Sequence, residues 1–444
     1  MKRIENNLFN SNIKSVFMSH SIKYIYTFLR WIVLGGLIGI LTGTAAAFFL
    51  KSLQFATNKR LELPWLLFFL PFGGMLVSYV YMKYGKDSSK GNNLILEQIH
   101  ESQGKIPVRM GIFALFGTVI THLFGGSAGR EGTGVQIGAS IAEGVSNLFK
   151  LDRLDRNILL MSGISSGFAS VFGTPLAGTI FGMEIIFIGI INYEALVPCT
   201  IAAFIGDFIT NFWGVKHTHY IVGVIPSFST KLMFKIIIIG IIFGLISKIF
   251  SELTHKLKKM FSIYFKNTII KSAVGGIIVI ILVYIVGNRN YLGLSIPLMM
   301  DAFKYTSKIQ DFILKTIFTS LTLGSGYQGG EVTPLFVIGS TLGSFMSGIM
   351  NEPISFFASL GLIGVFAGAT NAPIASFIMG IELFGSDIGK YMFIICVTSY
   401  LFSGHSSIYS AQKIGMSKTK FISLPRDITV DKYGESFYPK KDKK

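Results

Sequence analysis

The sequence predicts an all-α integral membrane protein made of two related halves of tilted, partly broken helices. Half of the 444 residues are hydrophobic and 14% are charged, a balance that soluble enzymes rarely show. The 49 glycines interrupt many of the apolar segments. A segment in the first half of the chain also recurs in the second half, which indicates an internal duplication.

Apolar runs recur along the whole chain, and several are short for a straight membrane crossing. A hydrocarbon core about 30 Å thick requires about 20 helical residues. Broken backbone at membrane depth survives only where protein or a water-filled cavity covers it. We therefore expect tilted, partial and re-entrant helices around a polar pathway. The runs lie at residues 31–50, 64–82, 108–124, 158–172, 175–191, 195–213, 232–250, 272–286, 312–323, 334–350, 354–369, 373–384 and 391–402.

The formal charge of +17 is concentrated outside these runs, before the first and after the last. The positive-inside tendency therefore predicts that both termini face the cytoplasm. These charges are expected to contact anionic lipid rather than nucleic acid. The predicted divisions are a cytoplasmic N-terminal segment at 1–26, a first membrane repeat at 27–215, a linker at 216–230, a second membrane repeat at 231–410 and a basic cytoplasmic tail at 411–444.

The duplication is visible when residues 163–184 are laid over residues 361–382 without gaps. Just upstream, GREGT at 129–133 and GGEVT at 329–333 share Gly, Glu and Thr at a constant separation. Paired, glycine-interrupted segments of this kind indicate a transport site at the repeat interface, although small residues also serve helix packing alone. The matched pairs are Gly163/Gly361, Phe168/Phe366, Ala169/Ala367, Pro175/Pro373, Ala177/Ala375, Ile180/Ile378, Gly182/Gly380 and Glu184/Glu382.

Two glycine-rich loops, GSAGREGTG at 126–134 and GSGYQGGEVTP at 324–334, each precede an apolar helix. Glycines at a helix start let the backbone approach a ligand, and the unpaired amides there attract anions. The carboxylate of Glu131 can accept hydrogen bonds from the same amides that would bind an anion. When ionised it can therefore block the anion path, and when protonated it can move out of the site. The alternative is a structural salt bridge with Arg130, but adjacent residues at a helix start rarely face each other.

Three motifs together resemble the CLC family of anion channels and anion/proton antiporters, across nearly the whole membrane region. GREGT resembles the family's GREGP loop, GGEVTP its GGxFxP loop, and SSIYSAQK at 406–413 the segment that bears its central tyrosine. A fourth segment, GNNLILEQIHE at 91–101, falls where the family usually has GSGIPE. The resemblance implies a homodimer with one pore in each subunit, each pore built from two inverted halves.

The resemblance also assigns roles to single residues. Glu131 becomes the external gating and proton-carrying glutamate, and Tyr409 becomes the hydroxyl donor to a central anion. The remaining anion contacts implied are Asn92 and the backbone at Gly129, Arg130, Gly132, Val332 and Thr333.

Departures from the common family pattern narrow the prediction. Asn92 replaces the anion-binding serine, and Thr133 replaces the proline of GREGP. Both changes, with GGEVTP, resemble the fluoride-specific branch, whose members exchange fluoride for protons. The internal proton glutamate of chloride/proton antiporters is absent, because Ile185 occupies its position. Glu331 is then the best candidate for a second proton-handling carboxylate.

Fluoride is small and tightly hydrated, so a site that dehydrates it must return strong donors. The amide of Asn92 can supply one, or it can merely cap the short helix that follows. The leading hypothesis is a fluoride/proton antiporter that exports fluoride across a bacterial plasma membrane. The alternative is a chloride or broad-anion channel or anion/proton exchanger of the same fold.

No motif indicates an enzyme, a cofactor or a metal site. No HExxH motif, GxSxG motif or cysteine cluster that would carry enzymatic chemistry is found in the sequence. His217 and His219 lie in a loop that we expect at the membrane surface. Glu184 and Glu382 are expected to cap helices at the aqueous face rather than to transport ions.

Overall fold

The computed structural model describes residues 2–101, 104–218, 220–422, 424–425 and 427–437. The described part is mainly helical, as the composition predicts. Its α-helices are α1 (Lys2–Glu62), α2 (Leu70–Val80), α3 (Asn92–Glu101), α4 (Arg109–Leu123), α5 (Glu131–Leu148), α6 (Arg153–Phe172), α7 (Pro175–Glu184), α8 (Leu196–Phe212), α9 (Thr230–Tyr264), α10 (Thr268–Val286), α11 (Ile296–Ala302), α12 (Ile309–Gly324), α13 (Val332–Met350), α14 (Ile354–Thr370), α15 (Pro373–Phe384), α16 (Gly389–Phe402) and α17 (Val430–Phe437).

Helix lengths vary widely, as expected for a protein whose apolar runs are interrupted. Six helical stretches among the described residues are long and apolar enough to cross a membrane. Others are much shorter, such as α3 and α7 with 10 residues each. The six stretches are Ser21–Glu62, Pro64–Lys90, Tyr193–Phe212, Thr230–Tyr264, Thr268–Val286 and Val332–Met350.

Close glycine contacts build the same helix pair in each half of the chain. In the first half, α5 and α6 meet where Gly138 faces Gly163, and a Cβ at either position would overlap the other's carbonyl group. In the second half, α13 and α14 meet in the same way at Gly339 and Gly361. Small residues let helix backbones approach closely where no side chain intervenes. The helix that follows each glycine-rich loop is thereby held by its successor.

The two halves share one core of aromatic rings. The matched residues Phe168 and Phe366 are both buried, and their rings stack with centroids 6.1 Å apart. Phe181 stacks on Phe168 at 4.1 Å, and Phe336 meets Phe366 edge-on at 5.3 Å. Phe168 and Phe366, which match across the repeat, thus line the core between the halves.

Glu184 and Glu382 cap each other's repeat. The carboxylate of Glu184, at the end of α7, accepts the backbone N–H groups of Ile374 at 3.1 Å and Ala375 at 2.7 Å, in the first turn of α15. Glu382, in α15, accepts those of Leu176 and Ala177 in α7, both at 2.8 Å. Unpaired amides at a helix start favour carboxylates.

The capping prediction therefore holds, with a difference in place. Each glutamate caps the start of the matching helix in the other half rather than the end of its own. The expectation of an aqueous face is wrong for Glu184, which is buried, because its partner helix covers it.

The segment after α16 packs back onto the membrane helices. Its strand β2 (Lys413–Ile414) pairs in parallel with β1 (Phe187–Ile188). The ammonium of Lys418 donates to the Asn371 side chain and to the Tyr400 carbonyl, both at 2.5 Å. Cations are favoured at helix C-termini, and these acceptors lie at the ends of α14 and α16. This packing fixes the loop that carries Tyr409.

The predicted divisions of the chain remain predictions. Helix α8 ends at Phe212 and α9 begins at Thr230, on either side of the predicted linker. In the linker region, His217 lies with its Nε2 3.7 Å from Oδ1 of Asp207. His219 lies outside the described residues.

Candidate anion-binding site

The two glycine-rich loops meet in the middle of the protein. The N–H of Gly129 donates to the carbonyl of Gly330 at 2.6 Å, and the N–H of Gly330 returns a bond to Gly129 at 2.8 Å. Immediately after this bridge, α5 begins at Glu131 and α13 begins at Val332. Two helix starts, each with its positive dipole end, therefore converge on one point.

Glu131 lies at this point with 1% of its surface exposed. Its Oε2 accepts the backbone N–H of Arg130 at 3.0 Å and that of Thr333 at 3.0 Å. Its Oε1 accepts the hydroxyl of Thr333. We call these three donors, the two amides and the hydroxyl, the donor nest. An anion bound there would need the same donors, so the carboxylate and an anion exclude each other.

Arg130 also faces Glu131, contrary to the sequence-based expectation. The guanidinium Nε lies 3.8 Å from Oε1 of Glu131. This distance makes an ion pair without a hydrogen bond. Arg130 occupies the N-cap position of α5, where the backbone is not helical. The pair adds positive charge beside the donor nest.

Neighbouring side chains hold the first loop in place. The Thr133 hydroxyl lies 2.6 Å from that of Thr118 in α4. The buried ring of His122 bridges two carbonyl groups, with Nδ1 2.8 Å from Thr118 and Nε2 3.0 Å from Ala128. Thr133 thus makes a contact that a proline could not, because its hydroxyl ties α5 to α4.

Asn92 lies at the first position of α3 and faces the start of α5. A Cβ at Gly132 would stand 3.0 Å from the Nδ2 atom of Asn92. The Oδ1 atom of Asn92 is buried and, among the described residues, has no hydrogen-bond partner. A capping side chain would accept a backbone N–H through that oxygen. The capping alternative is therefore wrong, and the amide points to the site instead.

A cavity of about 330 Å³ opens next to the donor nest. Among its lining residues are Asn92, Glu331 and Tyr409, together with Gln136 one turn further along α5. Four lysines also line it, namely Lys86, Lys90, Lys258 and Lys271. The cavity is therefore polar and positively charged, which suits an anion approaching the site.

Tyr409 is buried on an irregular loop that the core holds in place. Its N–H donates to the Ser407 hydroxyl at 3.1 Å. The Gln412 side chain donates to the carbonyls of Ile185 at 2.9 Å and Thr370 at 3.1 Å, and accepts from Ser407 at 2.8 Å. Ile185 occupies the position that carries an internal glutamate in chloride/proton antiporters. Its side chain is apolar, and its backbone carbonyl accepts a hydrogen bond from the neutral side-chain amide of Gln412.

The structure brings most of the predicted site residues together. Glu131, Arg130 and Thr333 form one hydrogen-bonded group, and Asn92, Glu331 and Tyr409 line one cavity. Gly132 faces Asn92, and Val332 begins α13 beside the nest.

Gly129 differs from its predicted role. Its N–H is engaged by Gly330, so it joins the two loops and is not free to bind an anion.

Sequence reasoning missed three polar groups of the site: the Thr333 hydroxyl, Gln136 and Gln412. It considered only the backbone of the second loop, although Thr333 is matched by Thr133 across the repeat. Gln136 follows Glu131 by five positions on the same helix, and its Oε1 is buried with no partner among the described residues. The repeat could have indicated Thr333, whereas no spacing pattern indicated the glutamines.

The duplicated helical fold and the donor nest define a polytopic membrane protein with a buried site for a negatively charged group. The profile of a protein family described as voltage gated chloride channel matches residues 73–404. The chain belongs to this family, the CLC family, as the motifs predict.

Individual relatives agree with this assignment. A protein from Pseudomonas syringae pv. tomato, named a chloride/fluoride channel protein, is 42% identical over 407 residues and covers 90% of each chain. A crystal structure described as a CLC-type fluoride/proton antiporter is 35% identical, with a TM-score of 0.85 over 88% of this chain and 99% of that one.

A more distant structure, described as a slow cyanobacterial chloride/proton antiporter, is 22% identical. Its TM-score is 0.73, and the match covers 84% of this chain and 94% of that one. At this identity the likeness shows the shared fold alone.

Proposed function

We propose that this protein is a fluoride/proton antiporter that exports fluoride in exchange for entering protons. The observation that carries the proposal is the carboxylate of Glu131 in the donor nest. A side chain that competes with the anion for donors, and that leaves them when it takes up a proton, couples anion movement to proton movement. The similarity to a CLC-type fluoride/proton antiporter supports the choice of fluoride.

The exchange follows from competition at the nest. Ionised Glu131 accepts three hydrogen bonds there, two from amides and one from the Thr333 hydroxyl. Protonation removes its charge, and hydrogen bonds to a neutral group are weaker than those to a charged one. The side chain then gives way to an anion. When the proton leaves on the other side of the membrane, the carboxylate returns and displaces the anion.

Fluoride suits this site because several N–H and O–H groups are available to donate hydrogen bonds to it. A fluoride ion loses a strongly bound hydration shell on entering the protein, so backbone amides and hydroxyls must replace the water. Asn92, which faces the start of α5, adds an amide to this set. A protonated carboxyl group also donates a hydrogen bond to fluoride, which is itself a proton acceptor.

Glu331 is the proposed second proton site. It precedes α13 directly and lines the cavity, while its counterpart Glu131 lies in the nest. In the part of the chain that the structure describes, the carboxylate of Glu331 has no hydrogen-bond partner, which leaves it free to exchange protons with water in the cavity. Ile185 cannot serve as such a site, so the proton route passes through the cavity instead.

We further propose a homodimer in a bacterial plasma membrane with both termini in the cytoplasm. The basic charge at both ends of the chain supports this orientation, and the family resemblance supports the dimer. The alternative function is a chloride or broad-anion channel or exchanger. It is supported by the Pseudomonas relative, which is named a chloride/fluoride channel protein.

Efflux from liposomes tests the proposal. The purified protein is reconstituted with internal fluoride or chloride, and anion electrodes and a pH electrode record the external solution. We expect fluoride efflux to exceed chloride efflux by at least about 10-fold, a selectivity that costs only about 1.4 kcal/mol, with protons moving in the opposite direction. Equal or faster chloride efflux would contradict the fluoride assignment.

The variant Glu131→Gln tests the coupling. Its amide cannot ionise, so we expect proton movement to stop while any remaining anion movement becomes passive. Glu252→Gln serves as the matched control, because Glu252 lies on α9 with an exposed side chain beside Lys248. If Glu131→Gln kept the wild-type ratio of protons to fluoride, the role of Glu131 would be wrong.

A further inference from the structure

The guanidinium of Arg60 has two nitrogens that are buried and lack an acceptor in the described part of the chain. It lies in the last turn of α1. Its Nε and Nη1 atoms are buried and have no hydrogen-bond partner among the described residues, and it forms no ion pair there. A buried charge without a partner is costly. A guanidinium in this state indicates that a negatively charged group belongs beside it.

Two further basic residues lie near Arg60, namely Arg289 and Lys315. Lys315 and Arg60 both contact Gly293. We call Arg60, Arg289 and Lys315 the basic cluster. Arg289 donates to the carbonyl of Pro64 at 2.8 Å. Each of these cations contacts neutral groups rather than a carboxylate in the described part of the chain, so the positive charge of the cluster stays uncompensated.

Lys315 connects the cluster to the Glu131 loop. It is fully buried, and its ammonium donates to the Ser127 hydroxyl at 2.9 Å, to the Ser295 hydroxyl at 2.9 Å and to the Gly293 carbonyl at 2.8 Å. Ser127 lies four positions before Glu131 in the same loop. Lys315 is therefore hydrogen-bonded to the loop that carries Glu131.

Two acidic side chains lie near the cluster in sequence, and both are engaged elsewhere. Glu62, two positions after Arg60, pairs with Lys59. Asp311 lies one turn before Lys315 on α12, but its Oδ1 accepts the Tyr291 hydroxyl at 2.8 Å and its Oδ2 accepts the Lys308 N–H at 2.9 Å. Both oxygens are thus engaged away from the cluster.

The basic cluster and the cavity lie at different levels of α12. Leu323, at the end of this helix, lines the cavity. Lys315 lies eight positions earlier, which is about 12 Å along a helix with a rise of 1.5 Å per residue.

The backbone packs closely against Arg60 at two glycines. A Cβ at Gly293, where φ is +59°, would stand 2.7 Å from Nη1 of Arg60. A Cβ at Gly125 would stand 3.1 Å from Leu67 and 3.5 Å from Leu292. Glycine backbone at both positions thus lies close to the Arg60 side chain.

We propose that the basic cluster is a second binding site for a small monovalent anion, with Arg60 as its direct ligand. Its place on the exit path of fluoride rests on the proposed function, whereas anion binding itself does not. A site of this kind lowers the energy of an anion that has left the nest but has not yet regained its hydration shell.

Thermal unfolding of the purified protein in lipid-free detergent tests the site. Sodium fluoride is titrated against sodium gluconate at constant ionic strength. A ligand that binds only the folded state raises the Tm. In gluconate, Arg60→Gln is expected to have a Tm at or above the wild-type value, because it removes an unpaired buried charge. Its fluoride-dependent rise in Tm is expected to fall to roughly half of the wild-type rise, since the nest still binds.

Lys59→Gln is the matched control, because Lys59 is the neighbouring residue, is partly exposed and pairs with Glu62 at 2.7 Å. It should respond to fluoride as the wild type does. A wild-type rise in Arg60→Gln would overturn the proposal. If Arg60→Gln does not fold, Arg60→Lys takes its place, because lysine keeps the charge but has fewer hydrogen-bond donors. A fluoride-dependent rise in Tm equal to that of the wild type would again overturn the proposal.

Crystals soaked in bromide locate the site independently. An anomalous peak within hydrogen-bonding distance of the Arg60 guanidinium supports the proposal. Bromide bound elsewhere in the protein, with none beside Arg60, contradicts it. Neither measurement depends on transport, so a protein that binds at Arg60 but does not exchange fluoride for protons would refute the proposed function and leave this inference standing.

Discussion

The reciprocal caps between the two repeats allow a prediction whose size follows from the hydrogen bonds. Glu184→Ala removes the acceptor of two backbone amides at the start of α15, those of Ile374 and Ala375. A buried donor left without a partner costs about 1–3 kcal/mol. The expected loss in the free energy of unfolding is therefore about 2–6 kcal/mol for two amides.

The matching change in the other repeat should cost less. Glu382→Ala frees the amides of Leu176 and Ala177, and the side chains of Glu382 and Leu176 are partly or fully exposed. Water can replace the carboxylate at the more accessible amide, so we expect about 1–3 kcal/mol, the cost of a single unsatisfied amide.

Equilibrium unfolding in mixed detergent micelles, followed by circular dichroism, measures both losses. Glu184→Gln and Glu382→Gln are the matched controls, because each keeps one acceptor oxygen and should lie between wild type and the alanine variant. If Glu382→Ala loses as much stability as Glu184→Ala, or more, then burial does not set the cost of removing the carboxylate.

Three further outcomes follow from single contacts. Gly163→Ala should destabilise the protein by about 1–3 kcal/mol or more, as overpacking does, because its Cβ overlaps the Gly138 carbonyl; the same unfolding assay measures it, and an unchanged stability would contradict the close approach of α5 and α6. Thr333→Val should weaken the binding of ionised Glu131 in the donor nest by roughly 10-fold or more, the value of one charge-assisted hydrogen bond, so fewer protons should move per fluoride in liposomes. Thr333→Ser should behave as wild type. Equal proton-to-fluoride ratios in all three proteins would show that the hydroxyl has no part in the mechanism. Burial lowers the pKa of His100 to about 4, below its unfolded value of about 6.5, so the free energy of unfolding should fall as the pH drops from 6.5 towards 4. His100→Met should lose less stability over that range. An identical pH dependence in both proteins would show that His100 is not the group responsible.

Much of the site could be predicted from the sequence because local patterns encode it. Glu131 and Glu331 stand out as carboxylates inside glycine-rich loops that precede apolar helices, and the repeat places them in equivalent positions. Family motifs added Tyr409 and Asn92, and the match to the voltage gated chloride channel family confirms the resemblance. The proton and anion roles of these residues stay predictions that the efflux experiments address.

The sequence was less informative about partners. It identified Glu184 and Glu382 as a matched pair of helix caps, but it placed them at an aqueous face. Their actual partners lie about 200 positions away, in the other repeat. No local pattern predicts such a contact, because it depends on how the halves pack.

By itself, the sequence determined the membrane class, the duplication and the two loops, since hydropathy, repetition and glycine spacing are properties of neighbouring residues. Only the tertiary structure decided which donors hold Glu131, that Gly129 joins the loops, and that Arg60 and Lys315 face the same glycine. A lone lysine in an apolar helix carries no signal of its surroundings. Its electrostatic role exists only once distant segments enclose it and exclude water, because the strength of a charge depends on the medium around it.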